Sequence, residues 1–143
     1  MMLIKEIAVN VNILNSRIKK YFFDILQENG INITPEQFLV LDILWKEQPL
    51  SQQKIADIIQ KDKNSVTKII DSLEKKNLVR RVVDKNDRRI NKIEMTDEAI
   101  ALEKLTTKVA INFMNDVVKG IDNKDLDTFV KVMRQLKNNL EGE

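Results

Sequence analysis

The side chains that carry much of protein chemistry are missing from this chain. Its 143 residues include neither cysteine nor histidine. That excludes disulfides, thiol nucleophiles, thiolate–metal sites and cysteine redox sensing. It also removes the commonest general base and the commonest zinc ligand, so a Ser-His-Asp triad cannot form. What remains is charge. Between Lys54 and Lys92 stand twelve basic residues: Lys54, Lys61, Lys63, Lys68, Lys75, Lys76, Arg80, Arg81, Lys85, Arg88, Arg89 and Lys92. Six acidic residues accompany them: Asp57, Asp62, Asp71, Glu74, Asp84 and Asp87. The block therefore carries +6 in a chain whose total is only +2, and the remainder carries −4. A cationic block of this kind fits a polyanionic partner; the plainer alternative is a solvated charged surface. Carboxylate pairs such as Asp84 and Asp87 sit in a turn-like segment without histidine, so no enzyme, cofactor or metal site is expected.

The elements that position these charges follow from punctuation and period. Three glycines and two prolines in the whole chain imply long helices and few turns. Apolar residues at Leu3, Ile4, Ile7, Val11, Leu14, Ile18, Phe22, Ile25 and Leu26 recur at threes and fours, which predicts one long amphipathic helix ended by Asn29-Gly30. Thr34, Pro35 and Gln37 form a capping-box start, and Ile33 and Phe38 are spaced for a hydrophobic staple. That second helix runs to Glu47 before Gln48-Pro49. Ser51 caps a short third helix, Gln52 to about Gln60, with Ile55, Ile58 and Ile59 as its inner face. A fourth helix spans Lys63 to Lys76, stopped by Asn77. The period then changes. Leu78–Val83 and Ile90–Met95 are rich in β-branched residues and flank Asp84-Lys85-Asn86-Asp87, the pattern of a β-hairpin with a charged tip. Thr96 caps a fifth helix to about Lys119, and Gly120 and Asp122 separate it from a sixth. The expected fold is mainly α with a small β-hairpin, in the order α-α-α-α-β-β-α-α.

A short helix, a tight break, a second helix and a hairpin make a winged helix-turn-helix. In that arrangement one helix lies in the major groove of DNA, its partner braces it, and the hairpin reaches the neighbouring minor groove. The fourth helix has a dry stripe of Val66, Ile69, Ile70 and Leu73 and an opposite face of Asn64, Lys68, Asp71 and Lys75. Asn can pair with adenine through two hydrogen bonds, and Lys can reach guanine or phosphate. Ser65 and Thr67 on the flanks are candidate phosphate donors. Asp71 would be repelled by phosphate, so the reading is expected from the N-terminal half. Gln53 on the third helix and Lys63 at the head of the fourth join the candidate set. At the hairpin tip, Lys85, Arg88 and Arg89 supply cations for a narrow minor groove, with Asp87 placed to hold an arginine extended.

These residues resemble the MarR family of bacterial transcription regulators. Ile55-Ala56, Ile59, Val66-Thr67, Ile70-Asp71 and Leu73 to Val79 resemble its third and fourth helices and their exit. Asp84 to Arg89 followed by Ile93-Glu94-Met95-Thr96 resembles its wing signature. Asn77 stands where the family usually has Gly, and Asn86 where Arg is frequent. The resemblance implies that Arg89 enters the minor groove and Asp87 orients it. It implies a homodimer in which residues 1–30 and 100–143 form a helical dimerisation region and 31–99 the DNA-binding lobe. It also implies release from DNA by a small aromatic effector, for which Tyr21 and Trp45 are candidates. The terminal helices are apolar over more than one stripe, which independently suits a partner surface.

The expected function is a dimeric repressor of near-palindromic operators on double-stranded DNA. The alternative is a winged-helix protein-interaction module that meets an acidic partner. No apolar run approaches the roughly 18 residues of a membrane helix. The start, with Lys5 and Glu6, does not resemble a signal peptide, so the cytoplasm is the expected compartment.

Overall fold

The structure, a computed structural model, describes residues 2–141. In chain order these form α1 (Met2–Glu28), α2 (Pro35–Lys46), β1 (Leu50–Ser51), α3 (Gln52–Ile59), α4 (Lys63–Lys75), β2 (Val79–Val83), β3 (Asn91–Met95), α5 (Asp97–Val117) and α6 (Asn123–Leu140). The helix starts are set by side chains that satisfy orphan N–H groups. Thr34 Oγ1 accepts from the Gln37 N–H at 3.1 Å while Gln37 Oε1 accepts from the Thr34 N–H at 3.0 Å, a complete capping box. Ser51 Oγ accepts from Lys54 N–H at 3.1 Å to start α3. Asp62 caps α4, accepting the Ser65 N–H at 2.7 Å. Thr96 accepts from Ala99 N–H at 3.2 Å at the head of α5 and donates to the Asn77 carbonyl at 2.8 Å, tying that helix to the exit of α4.

The strands form one antiparallel sheet in the order β1-β3-β2. Val79 pairs with Met95 and Val83 with Asn91, which confirms the hairpin. The additional strand β1 pairs Leu50 with Ile93 and Ser51 with Lys92. Two residues cannot display a period-two pattern, and their partner lies about forty residues further on, so local patterning did not reveal it.

Two compact units divide within α5, one ending at Ala110 and the other beginning at Ile111. The core of the first includes Leu26, Ile31, Ile33, Val40, Leu41, Leu44, Ile55, Val66, Ile70, Leu73 and Ile93, all fully buried. Each such side chain contributes about 1.5–3 kcal/mol through burial. The expected inner face of α3 needs one correction: Ile58 is 46% exposed, and Ala56 takes its place beside Ile55. At about 100° per residue, position 58 lies roughly a quarter-turn off the face centred on Ile55, Ala56 and Ile59. In α1, only Phe22 and Leu26 are buried among the described residues, while Leu3, Ile4, Ile7, Val11 and Leu14 are exposed.

In the second unit, α6 buries none of its described residues. Phe129, Val130, Met133, Leu136 and Leu140 are all exposed along it, spaced at threes and fours. Among the described residues no helix is long and apolar enough to cross a membrane.

Candidate nucleic-acid interface

The dry stripe of α4 is as its period requires: Val66, Ile69, Ile70 and Leu73 are buried, and Asn64, Lys68, Asp71 and Lys75 are exposed on the other side. Lys63, Asn64 and Lys68 make no side-chain hydrogen bond or ion pair among the described residues. Their polar groups remain available to a ligand. The two flanking hydroxyls do not. Ser65 Oγ donates to Asp62 Oδ2 at 3.1 Å, and Thr67 Oγ1 donates to the Lys63 carbonyl at 2.9 Å. Each hydroxyl has one proton, and both protons are committed inside the lobe. Thr67 Oγ1 also accepts from Gln52 Nε2 at 2.6 Å, which fastens the head of α3 to α4. Gln53 is exposed, with its Nε2 donating to Asp57 Oδ1 at 2.9 Å and its oxygen unengaged.

The hairpin tip is built from two successive aspartate turns. Asp84 Oδ1 accepts from Asn86 N–H at 2.9 Å, and Asp87 Oδ1 accepts from Arg89 N–H at 3.0 Å. Such turns let a short polar side chain replace a backbone acceptor. They project Lys85, Arg88 and Arg89 outward, all exposed. Asp87 additionally holds Arg89 through Nε and Nη2, each at 3.0 Å. The Arg89 guanidinium and then its N–H keep the Asp87 carboxyl below the usual carboxylate range. The same contact raises the already high affinity of Arg89 for its proton. At the head of α4, Ser65's N–H and hydroxyl likewise depress Asp62.

A cleft of about 300 Å³ brings three of these elements together, with Gln52 and Gln53 from α3, Lys63 from α4 and Arg89 and Asn91 from the wing on its walls. Side chains from the heads of α3 and α4 and from the wing thus line one cleft. Lys85 and Arg88 do not line it. The two effector candidates stand in different surroundings. Tyr21 is 58% exposed, with the Lys20 ammonium 5.9 Å from its ring centre. Trp45 is half-buried, donates its indole N–H to the Ala99 carbonyl at 3.0 Å, and meets Phe38 edge-on at 6.3 Å.

The sequence did not reveal the roles of three residues of the lobe: Gln52 and Asp62, described above, and Arg81, whose guanidinium contacts Asp71 and Glu74. Asp62 was legible as a cap, three residues before Ser65.

The MarR family matches residues 33–90, which runs from the capping box of α2 through α3 and α4 to the end of the wing tip. The part of the chain matched to the MarR family is thus its winged helix-turn-helix. A curated relative, the HTH-type transcriptional repressor MdtR of Bacillus subtilis, is 31% identical over 96 residues, 67% of this chain and 61% of that repressor. The aligned part thus spans less than two thirds of that relative's length. Among solved structures, the Staphylococcus aureus MepR–DNA complex superposes with a TM-score of 0.85 at 22% identity, covering 92% of this chain and 96% of that one. Reduced AbfR bound to DNA superposes with a TM-score of 0.80 at 21% identity, covering 98% and 95%. These likenesses show that the chain shares the fold of those two proteins over nearly its whole length.

Proposed function

We propose that this chain is a MarR-family transcriptional regulator that binds double-stranded DNA in a sequence-dependent way, acting as a homodimeric repressor. The observation that carries this reading is the state of its cations and amides. Lys63, Asn64 and Lys68 on α4 stand exposed and unengaged, and the wing projects Lys85, Arg88 and Arg89 beside them. In this reading α4 enters the major groove, with Asn64 and Lys68 toward base edges, and the wing lies in the adjacent minor groove. Arg89, held extended by Asp87, meets the negative potential of that groove. Lys63 and the cleft beside it take a backbone phosphate. Ser65 and Thr67 act differently from expectation: with their hydroxyl protons committed, they hold α4 in place.

The homodimer is supported by the unpartnered apolar residues of α1 and α6. We assign residues 1–30 and 100–143 to dimerisation and 31–99 to DNA binding. A two-fold pair of identical reading heads requires two matching half-sites, hence a near-palindromic operator. Release by a small aromatic effector would use the half-buried Trp45 rather than the outward-facing Tyr21. Since Trp45 is the only tryptophan, quenching of its fluorescence by phenolic compounds, with loss of DNA binding at the same concentrations, tests that part.

The deciding experiment is selection of bound duplexes from a random pool, followed by titration of the enriched sequence. Enrichment of an inverted repeat bound far more tightly than random DNA supports the reading. Absence of DNA binding at micromolar protein and low salt rejects it in favour of a protein-interaction module.

A further inference from the structure

Arg81 is cationic but does not point at solvent. It lies in the middle of β2, paired across the sheet with Ile93, and its side chain is 21% exposed, against 90% for Arg89. It crosses instead to α4. Its Nη2 lies 2.8 Å from Asp71 Oδ1 and donates to the Thr67 carbonyl at 3.5 Å. Its Nη1 donates to Glu74 Oε1, and its backbone N–H donates to Glu74 Oε2 at 3.3 Å. Thr67, Asp71 and Glu74 are spaced i, i+4, i+7, so one guanidinium grips a single flank of α4 over two turns. That flank borders the face carrying Asn64 and Lys68. The far end of the same strand leads into the tip that carries Lys85, Arg88 and Arg89.

The geometry points to Arg81 as a positioning residue for sequence selectivity: it sets the rotation and spacing of the α4 reading face relative to the wing. This inference rests on the DNA-binding reading above and goes further by separating two roles among the basic residues. Base contacts need accurate placement of a rigid helix, whereas attraction to phosphates tolerates looseness and is blind to sequence. Arg81 also answers the difficulty that Asp71 poses beside a polyanion, because its carboxylate is already paired. A lysine cannot replace it, since a single ammonium lacks the planar fork that spans two carboxylates.

The test compares wild type, Arg81→Gln, Arg81→Lys and the double variant Asp71→Asn/Glu74→Gln. Each is titrated against the duplex that wild type selects from a random pool and against a random duplex of equal length, over a range of salt. Arg81→Gln is expected to lower the ratio of selected to random affinity by at least about tenfold, with random-duplex affinity changed by less than about threefold. Arg81→Lys is expected to leave the ratio low. The double variant removes two negative charges next to the duplex, so electrostatics alone would tighten all binding. Positioning instead requires tighter random binding together with lost discrimination. An unchanged ratio in the variants overturns the inference, as does a parallel loss on both duplexes with a shallower salt slope, which would make Arg81 a phosphate contact. If Arg81→Gln fails to fold, the double variant decides, since both of its sites are on the surface. If wild type selects no sequence, the DNA-binding reading itself fails, and this inference with it, before any variant is compared.

Discussion

Arg89 lies against Asp87 in a two-point contact, Nε to Oδ1 and Nη2 to Oδ2, both at 3.0 Å, while its side chain stays 90% exposed. An ion pair this open adds little to folding stability. In the proposed DNA-binding reading, it restricts a long cationic side chain beforehand, so that less rotamer freedom would be lost on entry into a groove. Arg89→Ala is expected to weaken DNA binding by about tenfold or more with the dimer intact. Asp87→Ala separates ordering from charge. It raises the net positive charge, so screening alone predicts tighter binding, whereas loss of the brace predicts weaker binding. Polarisation titrations at fixed salt read both, and an Arg89→Ala affinity within a factor of two of wild type removes the wing role.

Salt dependence tests how many cations meet phosphate. Log K should fall with log salt by about 0.9 for every phosphate neutralised. Replacing Lys85 or Lys63 with Gln should lower that slope by about one unit per protomer and weaken selected and random duplexes alike. Asn64→Ala should leave the slope unchanged and reduce affinity for the selected duplex only. A variant of Asn64 that weakened both duplexes equally would show that this residue reads no base.

Gln60 holds φ at +58° in the turn between α3 and α4, the left-handed region that a side chain with a Cβ enters at a cost. Gln60→Gly removes that cost but gives the unfolded chain more freedom. The balance should be a gain of about 0.5–1 kcal/mol, visible as a higher denaturant midpoint at unchanged m-value. Asn77 has φ +59° but tolerates it better, so Asn77→Gly should gain less. A loss of stability in Gln60→Gly would mean that the Gln side chain contributes a contact of its own.

The helices were legible because their signals are local. Thr34, Pro35 and Gln37 announce α2 within four residues, and Val66, Ile69, Ile70 and Leu73 alone define the buried stripe of α4. The wing was legible from its change of period and from paired aspartates. What escaped was non-local. β1 exists only because Leu50 and Ser51 find Ile93 and Lys92. The Gln52–Thr67 hydrogen bond joins residues fifteen apart, and it turned a presumed phosphate donor into a structural tie. Arg81 counted as one more cation until the fold set it against Asp71 and Glu74. A partial clue was present: it sits two residues after buried Val79, an inward-leaning position on a strand, and the acids sit three apart on the helix it faces.

Acid should loosen the reading head. Asp62 and Asp87 both have folded pKa values below their ordinary ones, the first through the Ser65 N–H at the head of α4, the second through Arg89. A carboxyl depressed on folding binds protons less readily in the native state than in the unfolded one. Its contribution to stability is therefore complete above the unfolded pKa, near 4, and is lost as pH falls through the folded value. Unfolding followed from pH 7 downward should show stability declining below about pH 4. Asp62→Asn should flatten that decline without much loss at neutral pH, because Asn also caps helices. An acid limb equally steep in Asp62→Asn and wild type would remove Asp62 from the account.

The apolar residues of α6 lead to the last expectation. A helix that exposes Phe129, Val130, Met133, Leu136 and Leu140 at threes and fours leaves an apolar stripe in water, and such stripes are usually covered by a partner. A second copy of the chain is the covering surface that the proposed function requires. Phe129→Glu/Leu136→Glu places two charges in the stripe without harming helix propensity, since Glu is a good helix former. Sedimentation equilibrium should give twice the chain mass for wild type and the single-chain mass for the variant at the same micromolar concentration. DNA affinity should then fall steeply in the variant, because each reading head must bind alone and the gain from tethering two half-site contacts is lost. Circular dichroism checks that the lobe carrying α3, α4 and the wing remains folded. A wild-type chain that sediments as a monomer, or a variant that still sediments as a dimer, would place the covering surface somewhere other than a second α6.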